Sequence, residues 1–585
     1  MDKLGHVLAQ YGALTLVVLA CWGAGDMLLR GLKIDRDPRT RLGAPLAIAL
    51  GLGIGICALQ WLAIAGRLTS TFVTALLAVG LIPGLRLAIG RGAMLRQGGL
   101  LDRWRATPMS ERWAAAALAL ALLCTLMAPL PPPMAWDELL YHLPHAQQWA
   151  ASGHLTVNAW LRYPWFPYNF DLLYAAALLF GNDVLPHLLH ALAGWLTAGL
   201  VYRLGRQHLD RLTACLAAAL WVLLTLSEFT RAYVELGVAL FVLVAAAAYQ
   251  QWRLSEDRRW LLPCAFAIGL AIGSKYQLLT LLPLFALGLA RHDRRPSTWL
   301  LVLGGLLAPC IYWYARNALL TGDPFNPVGG RLFGFTDWNA VDYRGQFEDL
   351  RRNHGLPAWP LWPALVVPFI PALRGSAAVR RALILSAYMV LVWVASAPYP
   401  RYLTPAYPLL ALLSAAACVH LVRRAAALWP ALHQRHLVRA TAGLALACLA
   451  VLAAADGVRY WKRIAPTPAA REALLTARVT GYALWSQLRA HPVGRIYQIG
   501  VEDSLYYAPQ PVWGDVFGPW RYSDYTALDA AQLHRKLAAE HFDALVVHTG
   551  RFPQVAAQPG FDRYFESAGT DGPVKLYQLK PRGTP

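Results

Sequence analysis

The sequence predicts a polytopic α-helical membrane protein with a small α/β soluble domain at its C-terminal end. Of the 585 residues, 57% are hydrophobic and only 15% charged, too apolar a balance for a soluble multidomain chain. Apolar runs long enough to cross a bilayer recur up to about residue 455. From Trp461 onward charged and aromatic residues replace them. The formal net charge of +20 would suit nucleic acid, but the arginines lie mainly in short loops between apolar runs. That is the pattern that orients membrane proteins, so no nucleic-acid partner is expected. The eight cysteines (Cys21, Cys57, Cys124, Cys215, Cys264, Cys310, Cys418 and Cys448) sit in or at the ends of these runs without a CxxC pair. They argue for neither a disulfide framework nor a zinc site.

In order, the candidate spans cover residues 12–29, 44–65, 71–88, 113–130, 184–202, 212–226, 234–251, 260–272, 276–290, 298–314, 361–373, 382–397, 403–422 and 441–455, about fourteen in all. The first lacks a basic flank and a cleavage site and reads as a retained helix. The pair 260–272 and 276–290 is short enough to form a broken or re-entrant unit. Arg30, Lys33, Arg36, Arg39 and Arg41 mark the first connection as cytoplasmic, and the arginines between 86 and 112 mark the third. The same alternation places Arg203, Arg253, Arg291, Arg381, Arg423, Arg435 and Arg439 inside. The outside face then holds the loop 131–169, the turn 227–235, the turn Gly273-Ser274-Lys275-Tyr276, the loop 316–360, the turn Pro398-Tyr399-Pro400-Arg401 and everything after Asp456. Three regions result: N-terminal helices in 1–112, a membrane core in 113–456, and a soluble domain in 457–585. In the last, 493–500, 543–548 and 574–579 read as strands, and 469–488 and 527–540 as helices. Gly514-Asp515-Val516-Phe517-Gly518 reads as a turn, since no dinucleotide-binding fingerprint surrounds it.

One stretch concentrates the chemistry. After three prolines, Trp136-Asp137-Glu138-Leu139-Leu140-Tyr141-His142-Leu143-Pro144-His145 offers an acid pair, a Tyr and two His at the mouth of an apolar run. Ionised groups there are costly and mark function. Capping of a surface helix accounts for Asp137 alone, whereas helical spacing puts Glu138, Tyr141, His142 and His145 on one stripe. Asp137 is the expected general base, with Glu138 raising its basicity by like-charge repulsion. Glu235 is either a further outside carboxylate of the site or an interfacial acid at a helix start. Glu138, His142 and His145 could hold a divalent metal, but the spacing matches no zinc signature, and hydrogen-bonding roles with no cofactor are favoured. Lys275, Arg316 and Arg401 are isolated bases at the outer ends of spans, suited to a phosphate at the membrane interface; snorkelling to lipid is the bland alternative.

Through these residues the chain resembles the GT-C membrane glycosyltransferases, the superfamily of protein O-mannosyltransferases and lipid A aminoarabinose transferases. The likeness runs through Trp136-Asp137-Glu138 with Tyr141-His142, then Gln148-Trp149-Ala150-Ala151-Ser152-Gly153-His154-Leu155 and Gly269-Leu270-Ala271-Ile272-Gly273-Ser274-Lys275-Tyr276. It continues in Arg316-Asn317-Ala318-Leu319-Leu320-Thr321-Gly322-Asp323-Pro324-Phe325 and Arg401-Tyr402-Leu403-Thr404-Pro405-Ala406-Tyr407-Pro408. It implies a GT-C fold, a polyprenyl-phosphate sugar donor and transfer to an extracytoplasmic glycan, lipid or protein. Asp137 and Glu138 would be catalytic, Tyr141, His142, His145 and Glu235 would line the donor and acceptor pocket, and Lys275, Arg316 and Arg401 would bind the donor phosphate. The expected location is the inner or plasma membrane. The three spans before Trp113 are extra to the simplest members. A flippase for a lipid-linked glycan would spread polar residues through the spans, and a non-catalytic scaffold would leave the Asp137 cluster without a purpose.

Overall fold

The structure is a computed structural model that describes residues 2–34, 42–97, 99–429 and 435–581. Arg36, Arg39 and Arg41 of the expected first cytoplasmic loop lie outside the described residues, as does the side chain of Arg435. Among the described residues nine helices are long and apolar enough to cross a membrane, and the protein is a polytopic helical membrane protein. Several expected spans are longer than their apolar runs. Lys3–Gly31 has 29 residues, about 44 Å at ~1.5 Å per residue, and starts where the Asp2 carboxylate caps the Gly5 N–H at 2.7 Å. The expected span 361–373 is instead a 3₁₀ segment, Trp359–Phe369, interrupted by Pro363 and Pro368, because neither proline can donate the hydrogen bond that an α-helix needs.

Glycines set the approach of the first three helices. A methyl added at Gly51 of Ala44–Ile64 would fall on the Cys21 carbonyl, and one at Gly80 or Gly84 of Ser70–Gln97 on the Ala20 or Leu19 carbonyl. Backbones in that contact exclude any side chain. These helices, read from the sequence as an N-terminal region of their own, share one hydrophobic core with the rest of the bundle.

The bundle has a polar end and a basic end. Leu185–His208 begins near the acidic loop and has Arg206 and His208 in its last turn. Glu235–Ser255 runs from Glu235 to Arg253 in its last turn, and Leu281–His292 from beside Lys275 to Arg291. Leu261–Ile272 and Leu281–His292 have 12 residues each, about 18 Å, too short to cross singly. They bracket Lys275 and a 3₁₀ turn, Tyr276–Thr280, as the broken unit read from the sequence.

The last membrane helix, Arg435–Arg463, runs past the expected boundary at 457, so the soluble domain starts after Arg463. Its five strands are β1 (Ile496–Ile499), β2 (Val512–Trp513), β3 (Ala544–His548), β4 (Phe565–Asp571) and β5 (Val574–Leu579). They are ordered β2-β1-β3-β5-β4, with β1 parallel to β2 and β3, and β5 antiparallel to β3 and β4. β2 and β4 were not foreseen: β2 has two residues, and β4 is exposed or half-buried after Phe565, with no alternating apolar face. The expected helix 469–488 is two, Pro468–Arg478 and Tyr482–Ala490, parted by Gly481 at φ +79°.

The domain packs directly on the acidic loop. Leu140 and Leu161 join the core of the soluble domain. Tyr507 donates its hydroxyl to the Pro133 carbonyl at 2.8 Å, and the Arg551 guanidinium lies 4.8 Å from the Trp136 ring.

Candidate active site

The acidic stretch is helical but not a regular α-helix. Glu138–His142 forms a π turn, closed by the Leu143 N–H on the Glu138 carbonyl. Pro144 cannot donate to the Leu140 carbonyl, and the wider turn absorbs that missing bond. The extra residue breaks up the expected stripe, sending Glu138, His142 and His145 to different neighbours.

Glu138, expected to act catalytically beside Asp137, is turned away from it. Its side chain is fully buried. One oxygen accepts the Met134 and Ala135 N–H groups, each at 2.6 Å, and the other accepts the Ala232 N–H at 2.6 Å and His187 Nε2 at 2.8 Å. Burial alone would raise its pKa, but His187 and the backbone donors outweigh burial and hold it below the ordinary carboxylate value. We correct its role to that of a clamp joining the loop, the 228–235 turn and the helix Leu185–His208.

His142 and His145 are likewise absorbed. His142 Nδ1 lies 2.6 Å from Asp171, and burial raises the Asp171 pKa against that opposition. His145 Nε2–H donates to the Arg162 carbonyl at 2.9 Å, while Nδ1 accepts from Asn158 at 3.1 Å. Both ring nitrogens are satisfied in the neutral form, and burial takes its pKa down to about 3. His145 stands 5.6 Å from the Trp149 ring and 4.9 Å from Tyr168, a packing position and not a pocket wall. Among the described residues no group of three metal-ligating side chains converges.

Asp137 is the acid left facing the cations. Its Oδ2 meets Arg401 Nη2 at 2.5 Å and accepts the Tyr141 hydroxyl at 3.3 Å, and its backbone N–H donates to the Tyr233 hydroxyl at 3.1 Å. Glu235 Oε1 accepts from Lys275 Nζ at 3.0 Å and lies 3.9 Å from Arg401 Nε, too far for a hydrogen bond. Two carboxylates and two cations thus alternate, Asp137–Arg401–Glu235–Lys275, from four separate segments. Tyr233, Tyr399 and Tyr402 surround the Arg401 guanidinium at 5.3, 5.4 and 5.6 Å, and Lys275 Nζ lies 4.2 Å from the Tyr402 ring. Arg401 Nε is buried without a hydrogen-bond partner.

Arg316 is set apart. The expected span ending at 314 continues as Pro296–Thr321, so Arg316 is inside a helix and buried. It donates to Asn317 Oδ1 at 2.8 and 3.1 Å, and its guanidinium lies 5.1 Å from the Trp313 ring and 5.5 Å from Trp165. Asn317 donates to the Tyr276 hydroxyl at 2.8 Å, which places Arg316 one step beyond the Lys275 turn.

Sequence reading missed several residues that hold this arrangement. Asn169 accepts from Trp313 at 2.7 Å and Gln60 at 3.3 Å and donates to the Pro309 carbonyl at 2.8 Å, tying the N-terminal helices to the core. His190 anchors the 228–236 turn, with Nδ1 on the Arg231 carbonyl at 2.8 Å and Nε2 accepting the Leu236 N–H at 3.0 Å. His187 and His190 fall within the expected span 184–202, and ionisable groups in a span were the signal that could have found them. Glu228 is buried, with Oε2 unpartnered and Oε1 3.6 Å from Arg231 Nη1, and burial pushes its pKa up to about 7. Asp515, read as part of a turn, accepts Arg162 Nε at 2.7 Å across the domain boundary.

Residues 167–313, which carry Glu235 and Lys275, match the family described as dolichyl-phosphate-mannose-protein mannosyltransferase. Residues 470–578 match a family described as SF2091/S2213. The chain is 31% identical over 133 residues to the uncharacterized protein SF2092/S2214 of Shigella flexneri, covering 21% of this chain and 70% of that one. It is 40% identical over 65 residues to SF2093/S2215 of the same organism, covering 11% and 33%. The fold resembles the crystal structure of ArnT from Cupriavidus metallidurans, with a TM-score of 0.52, 15% identity, 80% of this chain and 99% of that one. A weaker likeness, TM-score 0.45 at 15% identity over 80% of this chain and 74% of the other, is to the Archaeoglobus fulgidus oligosaccharyltransferase. The matched segment, set in a helical fold that resembles that of ArnT, makes this chain similar to the GT-C membrane glycosyltransferases.

Proposed function

We propose that the protein transfers a sugar from a polyprenyl-phosphate donor to an acceptor on the extracytoplasmic side of the inner or plasma membrane. The observation that carries the reading is the alternation of Asp137, Arg401, Glu235 and Lys275 at the polar end of the bundle. The donor phosphate takes the free Nε–H of Arg401 and shares Lys275, and in drawing on Arg401 it loosens the Asp137 pair. Asp137 then accepts the proton of the acceptor hydroxyl as its oxygen attacks the anomeric carbon. The bond from that carbon to the phosphate oxygen breaks, and the lipid phosphate leaves with the electron pair, its charge taken by Arg401 and Lys275. The two carboxylates are already matched by side-chain cations, so the proposed step is routed through no metal, and transfer should survive a chelator. The outside assignment of this end rests on the arginines gathered at the other one.

The test is sugar transfer by purified protein in detergent, with a polyprenyl-phosphate sugar and membrane extract as acceptor. Asp137→Asn should bind donor yet lose about 10²–10⁴ in rate. Arg401→Ala should weaken donor use, with Arg401→Lys restoring it only in part because the fork geometry is gone. Transfer by Asp137→Asn at the wild-type rate would remove Asp137 from the reaction.

A further inference from the structure

The helix Glu235–Ser255 leaves the site and, fifteen residues on, about 22 Å at ~1.5 Å per residue, its Gln250 lines a cavity. This cavity, of about 340 Å³, lies between that helix, Leu281–His292, Ala377–Ser396 and Tyr407–Leu428. Ala246, Phe285 and Leu412 are among its largely apolar walls, and Gln250, Arg291, His292 and Arg381 supply polar groups. Gln250 is only 7% exposed. Its Oε1 accepts Arg381 Nε–H at 2.6 Å, while its Nε2 is buried with no partner among the described residues. Arg253, Arg291 and Arg381 all act electrostatically on His292. Among the described residues none of the three has a carboxylate within ion-pair distance.

We propose that this cavity binds one anionic phospholipid from the leaflet at the basic end. A lipid tail fills the apolar slot, the phosphate sits between Arg291 and Arg381, and the Gln250 amide donates to the headgroup. Charge complementarity selects the occupant: uncompensated arginines at the mouth of an apolar slot inside a membrane bundle match an anionic head on an apolar tail. Snorkelling to bulk lipid accounts for the arginines alone. It leaves unexplained a buried, unpartnered amide donor on a residue that lines the same cavity, which costs free energy unless a ligand accepts from it. The inference is independent of the transfer reaction.

The experiment is native mass spectrometry of the full chain released from nanodiscs of mixed phosphatidylglycerol and phosphatidylcholine. Wild type should retain one phosphatidylglycerol in preference. Arg381→Gln and Gln250→Leu should each weaken retention about tenfold, as loss of a hydrogen bond to a charged group implies. Ala246→Phe changes no charge and narrows the slot, so it should empty the site while leaving bulk lipid attraction as it was. If Ala246→Phe does not fold, Ala382→Leu narrows the slot from the facing helix. Equal retention of the two lipids by wild type, or undiminished retention in the narrowed variant, would overturn the proposal.

Discussion

Because both Glu138 oxygens accept N–H donors, Glu138→Gln must turn an amide NH₂ against a donor in either orientation. The sequence reading gives this acid a catalytic role beside Asp137, raising its neighbour's basicity. We now expect the variant to lose at least about 1–3 kcal/mol, visible as a lower Tm in detergent, whereas Asp137→Asn should unfold near wild type. Equal Tm for wild type and Glu138→Gln would show the clamp to be dispensable. Glu228 gives a pH signature. Its folded pKa is raised to about 7 by burial, so the folded state holds a proton that the unfolded chain releases near ~4.3. Stability is therefore fullest below that lower value and declines as pH rises to about 7, by roughly 4 kcal/mol in total. Tm should fall between pH 5 and pH 8, and Glu228→Gln should flatten the dependence; a slope unchanged in the variant would assign it to another group.

Helix contacts here depend on what is missing from the side chains. Gly80 and Gly84 face the Ala20 and Leu19 carbonyls, whereas a methyl at Gly90 of the same helix would meet nothing within 4 Å. Gly84→Ala should cost about 1–3 kcal/mol through overpacking against backbone. Gly90→Ala should be neutral or stabilising by up to about 1 kcal/mol, since alanine is the better helix former. Thermal unfolding of the two variants side by side checks the contrast, and a similar Tm for both would mean that the third helix is not held by this contact.

At the scale of the molecule, the soluble domain is held to the membrane core by a buried ion pair, Arg162–Asp515, with only 10% of each side chain exposed. The same domain also contacts Trp136 and Pro133, next to Asp137. Asp515→Ala leaves a buried guanidinium without its partner, and we expect a loss of about 3–5 kcal/mol. The double variant Arg162→Met with Asp515→Leu should recover most of it, because apolar replacement of a buried pair is often neutral. Additive losses in this cycle, read by Tm, would refute the coupling.

The membrane class, the polar and basic ends, the broken unit around Lys275 and the three strands β1, β3 and β5 were legible in the residue order. Each rests on local hydrophobic runs, arginine placement or alternation, which need no knowledge of neighbours. Asp137, Glu235, Lys275 and Arg401 were named from their position at the ends of spans, and the fold brings them into one alternating chain. Their neighbours were not legible. That Glu138 turns to His187 while Asp137 turns to Arg401 depends on one π turn before Pro144, and that Arg316 stands apart depends on a helix continuing to Thr321. Asn169 and Asp515 look ordinary along the chain, because the carbonyl and side chains they bond lie more than a hundred residues away. Buried polar groups must find partners, and packing, not sequence order, decides which ones.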